Sequence, residues 1–366
     1  MEIKAIFKSM VDSGASDIFF KVGSPVNFRI DGSLVPQGSD ILSEKDISKM
    51  IDDVLNAGQK KAFDGDREID FGINIEGLGR FRGSIFHQNG LPGAVFRFIK
   101  GRIDSFEGLN LPTKVLSKLA LEKRGLILVT GATGSGKSTT IASIIEYINQ
   151  NLPSHIVTIE DPIEFVFDDK KSLVEQRELG LDTPSYLEAL KHVMYQSPDV
   201  IFIGNIRDME TMSAAMTAAE TGQLVVSTIH SINALQTVER IVNFYPPHQH
   251  EEIRMQLSLL LKGVISQRLI PVKEGKGRMP ACEVMLNTPT ISALIREGKT
   301  NELLQYIEEG SIFGMQTFDQ CLAKLCLDGR ISVEESKRFC DSAAVLDLAL
   351  KGIKRTERGT PFTSNR

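Results

Sequence analysis

The sequence predicts an α/β protein of two parts, a small domain of antiparallel strands followed by a larger domain with a parallel sheet. Three observations support this fold class. The chain has 366 residues and is 42% hydrophobic, which is enough for two domains with a substantial core. Short strand-like segments near the amino terminus are separated by turn pairs such as Asp31-Gly32 and Asn89-Gly90. Farther along, apolar runs alternate with helical segments, as in sheets that are covered on both faces.

The first part begins with an amphipathic helix, on which Ile3, Ile6, Phe7, Met10 and Val11 share one face. Strands follow in which apolar and polar residues alternate, as expected for an antiparallel sheet with one buried face. The predicted strands cover residues 17–22, 26–30, 71–75, 80–86 and 94–99. We place this domain at residues 1–100 and a linker at residues 101–112.

The second part contains four apolar runs, at residues 125–130, 156–159, 200–203 and 224–228. Such runs are typical of parallel strands that are buried on both faces. Beyond Pro246-Pro247 we predict helices, with Ile253, Leu257, Leu260 and Val264 on the core face of one of them. The predicted domain covers residues 113–350, and its carboxy-terminal part is helical. Residues 351–366 are basic with few apolar side chains, and we expect a disordered tail, with membrane-surface contact as the weaker alternative.

A glycine-rich segment directly after the run 125–130 carries the most specific motif in the chain. It fits the phosphate-loop pattern G-x-x-x-x-G-K-[ST] at every defined position, and an amphipathic helix follows. Backbone N–H groups of such a loop and the amino end of the helix bind phosphate oxygens. We therefore expect this segment to bind a nucleoside triphosphate, with Lys137 on the β- and γ-phosphates and Ser138 on Mg²⁺. The predicted nucleotide-binding residues are Gly131, Ala132, Thr133, Gly134, Ser135, Gly136, Lys137, Ser138 and Thr139.

Three carboxylates, Glu160, Asp161 and Glu164, lie at the end of the second apolar run. The carboxyl ends of parallel strands are where α/β sheets bind their ligands. Glu160 and Asp161 are candidates for holding Mg²⁺ through water, and these carboxylates are also candidates for ordering an attacking water. A solvated acidic loop is the alternative interpretation.

The next two apolar runs also end in polar residues. Asn205 follows the run 200–203 in the Walker B region, and His230 follows the run 224–228. An imidazole at this position is a candidate contact to the γ-phosphate, although a lone histidine is usually a structural residue.

Composition excludes several function classes. A net charge of −5 does not favour a protein that coats nucleic acid. No apolar stretch approaches the roughly 20 residues of a membrane span, and the first residues lack a signal-peptide pattern, so we expect a cytoplasmic location. The four cysteines include no C-x-x-C pair, and we do not expect a structural zinc site.

Short segments spread over almost the whole chain, up to about residue 350, match one known family. They are Ala15–Asp17, Pro25, Arg29–Gly32, Gly131–Thr139, Ile159–Phe165, Gly204, Ile206–Asp208, Ala219–Gly222, Leu294–Gly298 and Gly314–Asp319. With these segments the chain resembles the retraction ATPases of type IV pili, the PilT/PilU family of secretion-type ATPases, and it is closer to PilU.

The resemblance implies a PAS-like amino-terminal domain, a RecA-like P-loop ATPase domain and assembly into a homo-hexamer. It implies ATP and Mg²⁺ as cofactors and pilus retraction, hence twitching motility, as the process served. The implied partners are an inner-membrane pilus platform protein and a paralogous retraction ATPase, with peripheral membrane contact only and no nucleic acid. Arg80, Arg82 and Arg97 match the family's arginines that reach toward the nucleotide, with solvated strand faces as the alternative.

Two positions depart from the family pattern. Asn205 stands where the family has a glutamate that is expected to polarise the attacking water, and an amide cannot accept a proton. Tyr195 stands where an arginine is usual. The departures favour a subunit that binds ATP and hydrolyses it slowly. Alternatives are a nearly inactive accessory ring that regulates a paralogous ATPase and, more remotely, a nucleic-acid translocase.

Overall fold

A computed structural model of the chain describes residues 3–30, 32–99, 101, 103–275 and 277–353. The chain divides into two units. The first contains the residues up to Ile103 together with Glu160–Asp168 and Gln176–Ser185. The second contains Asp104–Ile159, Asp169–Glu175 and the residues from Tyr186 onward.

The first unit is built on an antiparallel sheet of six strands with helices packed against it. Its elements are α1 (Ile3–Asp12), β1 (Asp17–Lys21), β2 (Val26–Ile30), β3 (Ser33–Gln37), α2 (Glu44–Val54), α3 (Ala57–Asp66), β4 (Glu68–Ile75), β5 (Gly79–Gln88) and β6 (Leu91–Ile99). The strand order in the sheet is β3-β2-β1-β6-β5-β4.

Alternation along the strands places one face of this sheet in a core of aromatic side chains. On β5, Phe81 and Ile85 are fully buried, whereas Arg80 and Arg82 point to the other face, as the sequence predicts. Phe7 of α1 packs edge-on against Phe81, with ring centroids 4.6 Å apart. Helix α1 therefore covers the sheet with the apolar face expected from its spacing.

Three elements of the first unit lie outside the predicted segments, namely β3, α2 and α3. Both helices begin with a capping box, Ser43 with Asp46 in α2 and Asn56 with Gln59 in α3. Each box satisfies N–H groups that the first helical turn leaves unpaired, so the start of each helix is encoded locally.

The second unit contains a sheet of seven strands with helices around it. Its elements, apart from four short 3₁₀ turns, are α4 (Thr113–Ala120), β7 (Gly125–Thr130), α5 (Lys137–Asn151), β8 (His155–Glu160), β9 (Leu173–Glu178), α6 (Tyr186–Val193), β10 (Val200–Ile203), α7 (Met209–Thr221), β11 (Leu224–Ile229), α8 (Ala234–Asn243), α9 (His250–Leu260), β12 (Leu261–Pro271), β13 (Arg278–Leu286), α10 (Pro289–Glu297), α11 (Leu303–Glu309), α12 (Phe318–Leu327), α13 (Val333–Phe339) and α14 (Ala343–Leu350).

The strand order in this sheet is β13-β12-β7-β11-β10-β8-β9. Strands β7, β11, β10 and β8 are parallel, and they coincide with the four predicted apolar runs. Their carboxyl ends therefore lie at one edge of the sheet, where a phosphate loop after β7 can be joined by residues after β10 and β11.

The prediction of helices alone beyond Pro246-Pro247 is wrong for residues 261–271 and 278–286, which form the long strands β12 and β13. Helix α9 ends at Leu260, so Val264 lies on β12 and not on the helix face assigned to it. Strand β12 pairs with β7 on one side and with β13 on the other. A fully buried strand shows no two-residue alternation, and for such a strand the apolar spacing does not distinguish strand from helix.

The structure describes most of the predicted linker before the ATPase domain, whereas most of the predicted tail after it lies outside the described residues. Residues from Asp104 onward, within the predicted linker, are grouped with the second unit, where Phe106 stacks on Tyr147 with ring centroids 5.1 Å apart. Helices α10 to α14 form the helical carboxy-terminal part. The predicted tail lies outside the described residues from position 354 onward. Within the described ranges, no helix has the length and apolarity needed to span a bilayer.

Candidate nucleotide site

The phosphate loop connects the end of β7 to the start of α5, as the motif requires. Gly136 is the N-cap of α5 and has a φ of 89°, and Gly131 has a φ of 145°. Both values lie in the region that residues with a side chain rarely adopt. The helix therefore begins at Lys137 directly after the glycine turn, and the amino end of a helix behind such a turn is the arrangement that binds phosphate.

Close packing against Gln267 of β12 is a second reason for glycine at these two positions. A Cβ atom on Gly131 would lie 2.5 Å from the backbone oxygen of Gln267, and one on Gly136 would lie 2.7 Å from its Nε2. Gln267 is buried, and its Oε1 accepts a hydrogen bond from Thr140 Oγ1 at 2.6 Å. Gln267 thus packs against both glycines of the loop. No local pattern in the sequence predicts this role.

Lys137 holds its charge inside the loop. Its Nζ donates to the backbone oxygens of Gly131 and Ala132, each at 2.9 Å, and only 8% of the residue is exposed. The ammonium group is therefore positioned by the loop that it serves, which lowers the entropy lost when it contacts a ligand.

The residues on either side of Asn205 are both hydrogen-bonded to Thr228. The oxygen of Gly204 accepts from Thr228 Oγ1 at 2.7 Å, and the N–H of Ile206 donates to the oxygen of Thr228 at 3.0 Å. Asn205 is buried, and within the described residues its Oδ1 has no hydrogen-bond partner. A buried acceptor without a protein partner is the mark of a site that binds water or an ion.

His230 follows the end of β11 and is exposed. Partial burial, and then the positive charges of Lys137, Arg207 and Arg240, lower the pKa of this imidazole below its ordinary value. Strand β11, which His230 follows, pairs with β7, the strand that leads into the phosphate loop. The His230 imidazole is neutral at physiological pH and offers one donor and one acceptor.

The residues around the loop fit a hydrated Mg²⁺ ion. In the described part of the chain, Thr130 Oγ1 and Ser135 Oγ lack partners, as Asn205 Oδ1 does. Ser138 lies in the first turn of α5 and is half-buried. Hydroxyl and amide oxygens are ligands that hard cations accept, and Mg²⁺ usually keeps several waters.

The three predicted carboxylates lie in a stretch that we call the acidic segment, residues 160–168, which is grouped with the first unit. Glu160 is buried and accepts from Gln176 Nε2 at 3.0 Å, whereas Asp161 and Glu164 are exposed. The phosphate loop, Asn205 and His230 belong to the second unit. The predicted site residues thus fall into two groups.

The three predicted arginines are all in the first unit, and each has an acidic neighbour. Arg82 and Arg97 lie opposite each other on β5 and β6. Arg97 Nε donates to buried Asp17 at 2.8 Å, and Arg82 lies 3.6 Å from exposed Asp70. Arg80 pairs with Glu178, a buried carboxylate. Tyr195, the second departure from the family pattern, has 89% of its surface exposed.

Comparison with known proteins places this fold. The model of the family described as type II/IV secretion system protein matches residues 1–297. The chain belongs to this secretion-system family. A relative within it, the type IV pilus ATPase PilU of Pseudomonas aeruginosa, is 43% identical over 351 residues, covering 96% of this chain and 92% of PilU. The retraction ATPase PilT of the same organism is 42% identical over 337 residues, covering 92% of this chain and 97% of PilT.

Two solved structures agree with the architecture. The crystal structure of the pilus retraction motor PilT with bound ADP has a TM-score of 0.87 and 42% identity, covering 95% of this chain and 99% of that one. The ATPase DotB of Legionella pneumophila shares the fold, with a TM-score of 0.75 at 24% identity, covering 92% of this chain and 94% of DotB. The chain is therefore a member of the PilT/PilU group with the two-part α/β fold of these structures.

In this family member a buried carboxylate on β13 accepts a hydrogen bond from the first residue of α8. Glu283 is 1% exposed, and its Oε1 accepts from the N–H of Ala234 at 2.7 Å and from Ser266 Oγ at 3.0 Å. Ala234 is the first residue of α8, four positions after His230. Burial raises the pKa of Glu283 to about 7, against the lowering effect of these two hydrogen bonds. The sequence offered no signal for this residue.

We expect Glu283→Gln to change how stability depends on pH. The folded state binds a proton on Glu283 more tightly than the unfolded state, so the stability contributed by this group is fully present below pH 4.5 and is lost as pH rises through about 7. Relative to the Gln variant, the free energy of unfolding of the parent should fall by up to about 3 kcal/mol between pH 4 and pH 8.

Urea denaturation of both proteins at a series of pH values measures this difference. Glu251→Gln, on the exposed first turn of α9, is the matched control and should track the parent. A constant difference between the parent and Glu283→Gln from pH 4 to pH 8 would contradict the assignment.

Proposed function

We propose that this chain is an ATP-binding subunit of a hexameric motor that retracts type IV pili, and that Asn205 weakens its hydrolysis of ATP. The observation that carries the proposal is the phosphate loop, with left-handed glycines, an inward lysine and a helix that starts at its end. The chain's similarity to the type IV pilus ATPase PilU and the retraction ATPase PilT supports the choice of process.

In the proposed mechanism, N–H groups of the loop and of the first turn of α5 bind the phosphates. Lys137 moves from its two backbone acceptors to the β- and γ-phosphates. Ser138, with Asp161 through water, would hold Mg²⁺, which would neutralise charge on the phosphate oxygens. Neutral His230 would donate a hydrogen bond to the γ-phosphate and report its presence.

The chemical step is limited by the Walker B position. The Asn205 amide can orient a water and cannot take its proton. Glu160 and Glu164 are the other carboxylates proposed to serve as base. Arg80, Arg82 and Arg97 are proposed to neutralise charge that develops on the γ-phosphoryl oxygens.

The proposed partners are further copies of this chain, an inner-membrane pilus platform protein and a paralogous retraction ATPase. The proposed location is the cytoplasm, at the periphery of the inner membrane. Asn205 favours a second candidate function, in which a nearly inactive nucleotide-bound ring regulates the paralogue. The remote third candidate, a nucleic-acid translocase, is disfavoured by the net charge of −5.

One experiment separates the three functions: ATP turnover of the chain alone, mixed with an active retraction ATPase, and with added DNA. We expect slow turnover alone and hexamers in light scattering with ATP. A changed turnover per active subunit in the mixture would favour the accessory ring, whereas measurable turnover alone without that change would favour the motor.

Lys137→Ala in the same mixture is the control, because an effect that survives without the phosphate-loop lysine does not need bound nucleotide. Stimulation by DNA would point to the translocase. Light scattering that shows only monomers at high protein concentration, with and without ATP, would contradict the ring.

A further inference from the structure

The acidic segment is tied to the strand that returns beside it. Gln176 Nε2 donates to Glu160 Oε1 at 3.0 Å and to the oxygen of Phe165 at 2.8 Å. Its Oε1 accepts from the N–H of Phe167 at 3.0 Å, and the N–H of Leu179 donates to the oxygen of Glu160 at 2.9 Å. The acidic segment is therefore joined by hydrogen bonds to residues 176–179, and the two stretches form one substructure.

Glu178 connects this piece to the β4–β5 hairpin. Its Oε1 accepts from the N–H of Gly72 at 2.8 Å, and its Oε2 accepts from the N–H of Ile163 at 3.1 Å and pairs with Arg80. The side chain of Glu178 is 2% exposed. A buried carboxylate is retained only when charged or N–H partners surround it, and here the partners come from three separate stretches of chain.

The hairpin is shaped to accept this carboxylate. A Cβ atom on Gly72 would lie closest to Arg80 Nη2, and it would lie 2.6 Å from Glu178 Oε2 and 2.8 Å from Oε1, so a side chain at this position would displace the pair. The side chain of Arg80 is 14% exposed, whereas the Arg82–Asp70 pair on the same hairpin is open to solvent. An exposed pair at 3.6 Å contributes little, whereas a buried pair with N–H partners orders its surroundings.

We propose that Glu178 is a positioning residue, which fastens the acidic segment to the β4–β5 hairpin so that the first unit sets the placement of Glu160 and Glu164. Of the three arginines proposed to act on the γ-phosphate, Arg80 is then the one held by a buried carboxylate in the nucleotide-free chain. The consequence for these two carboxylates rests on the proposed function, whereas the fastening itself does not.

Hydrogen exchange on the nucleotide-free full chain tests the fastening. In Glu178→Ala, we expect amides of residues 161–167 to exchange at least tenfold faster than in the parent, because Ile163 loses its acceptor. Amides of α5 should be unchanged, which shows that the chain is folded. Glu178→Gln keeps an acceptor and should recover part of the protection.

Gly72→Ala is the second route to the same result, because its methyl group displaces the Arg80–Glu178 pair without altering either residue. Asp70→Asn, which breaks the exposed pair of the same hairpin, is the matched control and should leave residues 161–167 at the parent rate. Parent-like exchange of residues 161–167 in both Glu178→Ala and Gly72→Ala would overturn the proposal.

Turnover in the Asn205→Glu background tests the consequence for catalysis. We expect Glu178→Ala to lower kcat about tenfold while the Kd for ATP changes less than twofold, a split that a general loss of folding would not produce. Unchanged kcat together with fast exchange would overturn the catalytic part alone. Failure of the parent to bind ATP would reject the proposed function and leave the exchange result valid.

Discussion

Asn205→Glu is expected to raise the rate of ATP hydrolysis by roughly 10² or more over the unmodified chain. The reason is the environment of Asn205, which is buried between two residues that are hydrogen-bonded to Thr228. Within the described structure, its Oδ1 has no hydrogen-bond partner. A carboxylate placed there gains a proton-accepting oxygen, and burial shifts its pKa toward neutrality, where a general base works well.

Single-turnover and steady-state assays of purified parent and variant measure this increase. Asn205→Gln is the matched control, because it adds the same methylene and stays neutral, so it should remain as slow as the parent. Exposed Tyr195, where the family usually has arginine, sets a ceiling on the recovery if a positive charge is also needed. The idea would be falsified if the unmodified chain hydrolysed ATP as fast as Asn205→Glu, since the base would then be another residue such as Glu160 or Glu164.

Lys137→Ala is expected to weaken ATP binding by at least tenfold, the worth of one charge-assisted contact of about 1.5–3 kcal/mol. Lys137 Nζ is held at 2.9 Å from two backbone oxygens of the loop, so its charge is already where phosphate binds. Isothermal titration with Mg·ATP gives the affinity directly, independent of hydrolysis.

Two further variants make the result specific. Lys118→Ala removes an exposed lysine of α4 and should bind ATP as the parent does. Lys137→Arg keeps the charge with a bulkier group and should fall between parent and alanine variant. Equal ATP affinities for Lys137→Ala and the parent would remove the phosphate loop from the mechanism.

The elements that the sequence predicts well are those whose pattern is complete over a short stretch. The phosphate loop needs only β7, a glycine turn and the start of α5, and all three appear as expected. The parallel strands are recognisable as apolar runs. Helices α2 and α3 could have been found in the same way, since their capping boxes, Ser43 with Asp46 and Asn56 with Gln59, are local signals.

The sequence by itself thus determined the two-part α/β fold, the nucleotide loop and the unusual Asn205. Only the tertiary structure decided that residues 261–271 and 278–286 form strands, because β12 is stabilised by hydrogen bonds to β7 and β13. The tertiary structure also determines the roles of two buried polar residues. Glu178 is hydrogen-bonded to Gly72, which is 106 residues away in sequence, and Gln267 is hydrogen-bonded to Thr140, which is 127 residues away. Burial of a polar side chain is favourable only when it has hydrogen-bond partners. Because these partners are distant in sequence, the contacts produce no local sequence pattern from which they could be predicted.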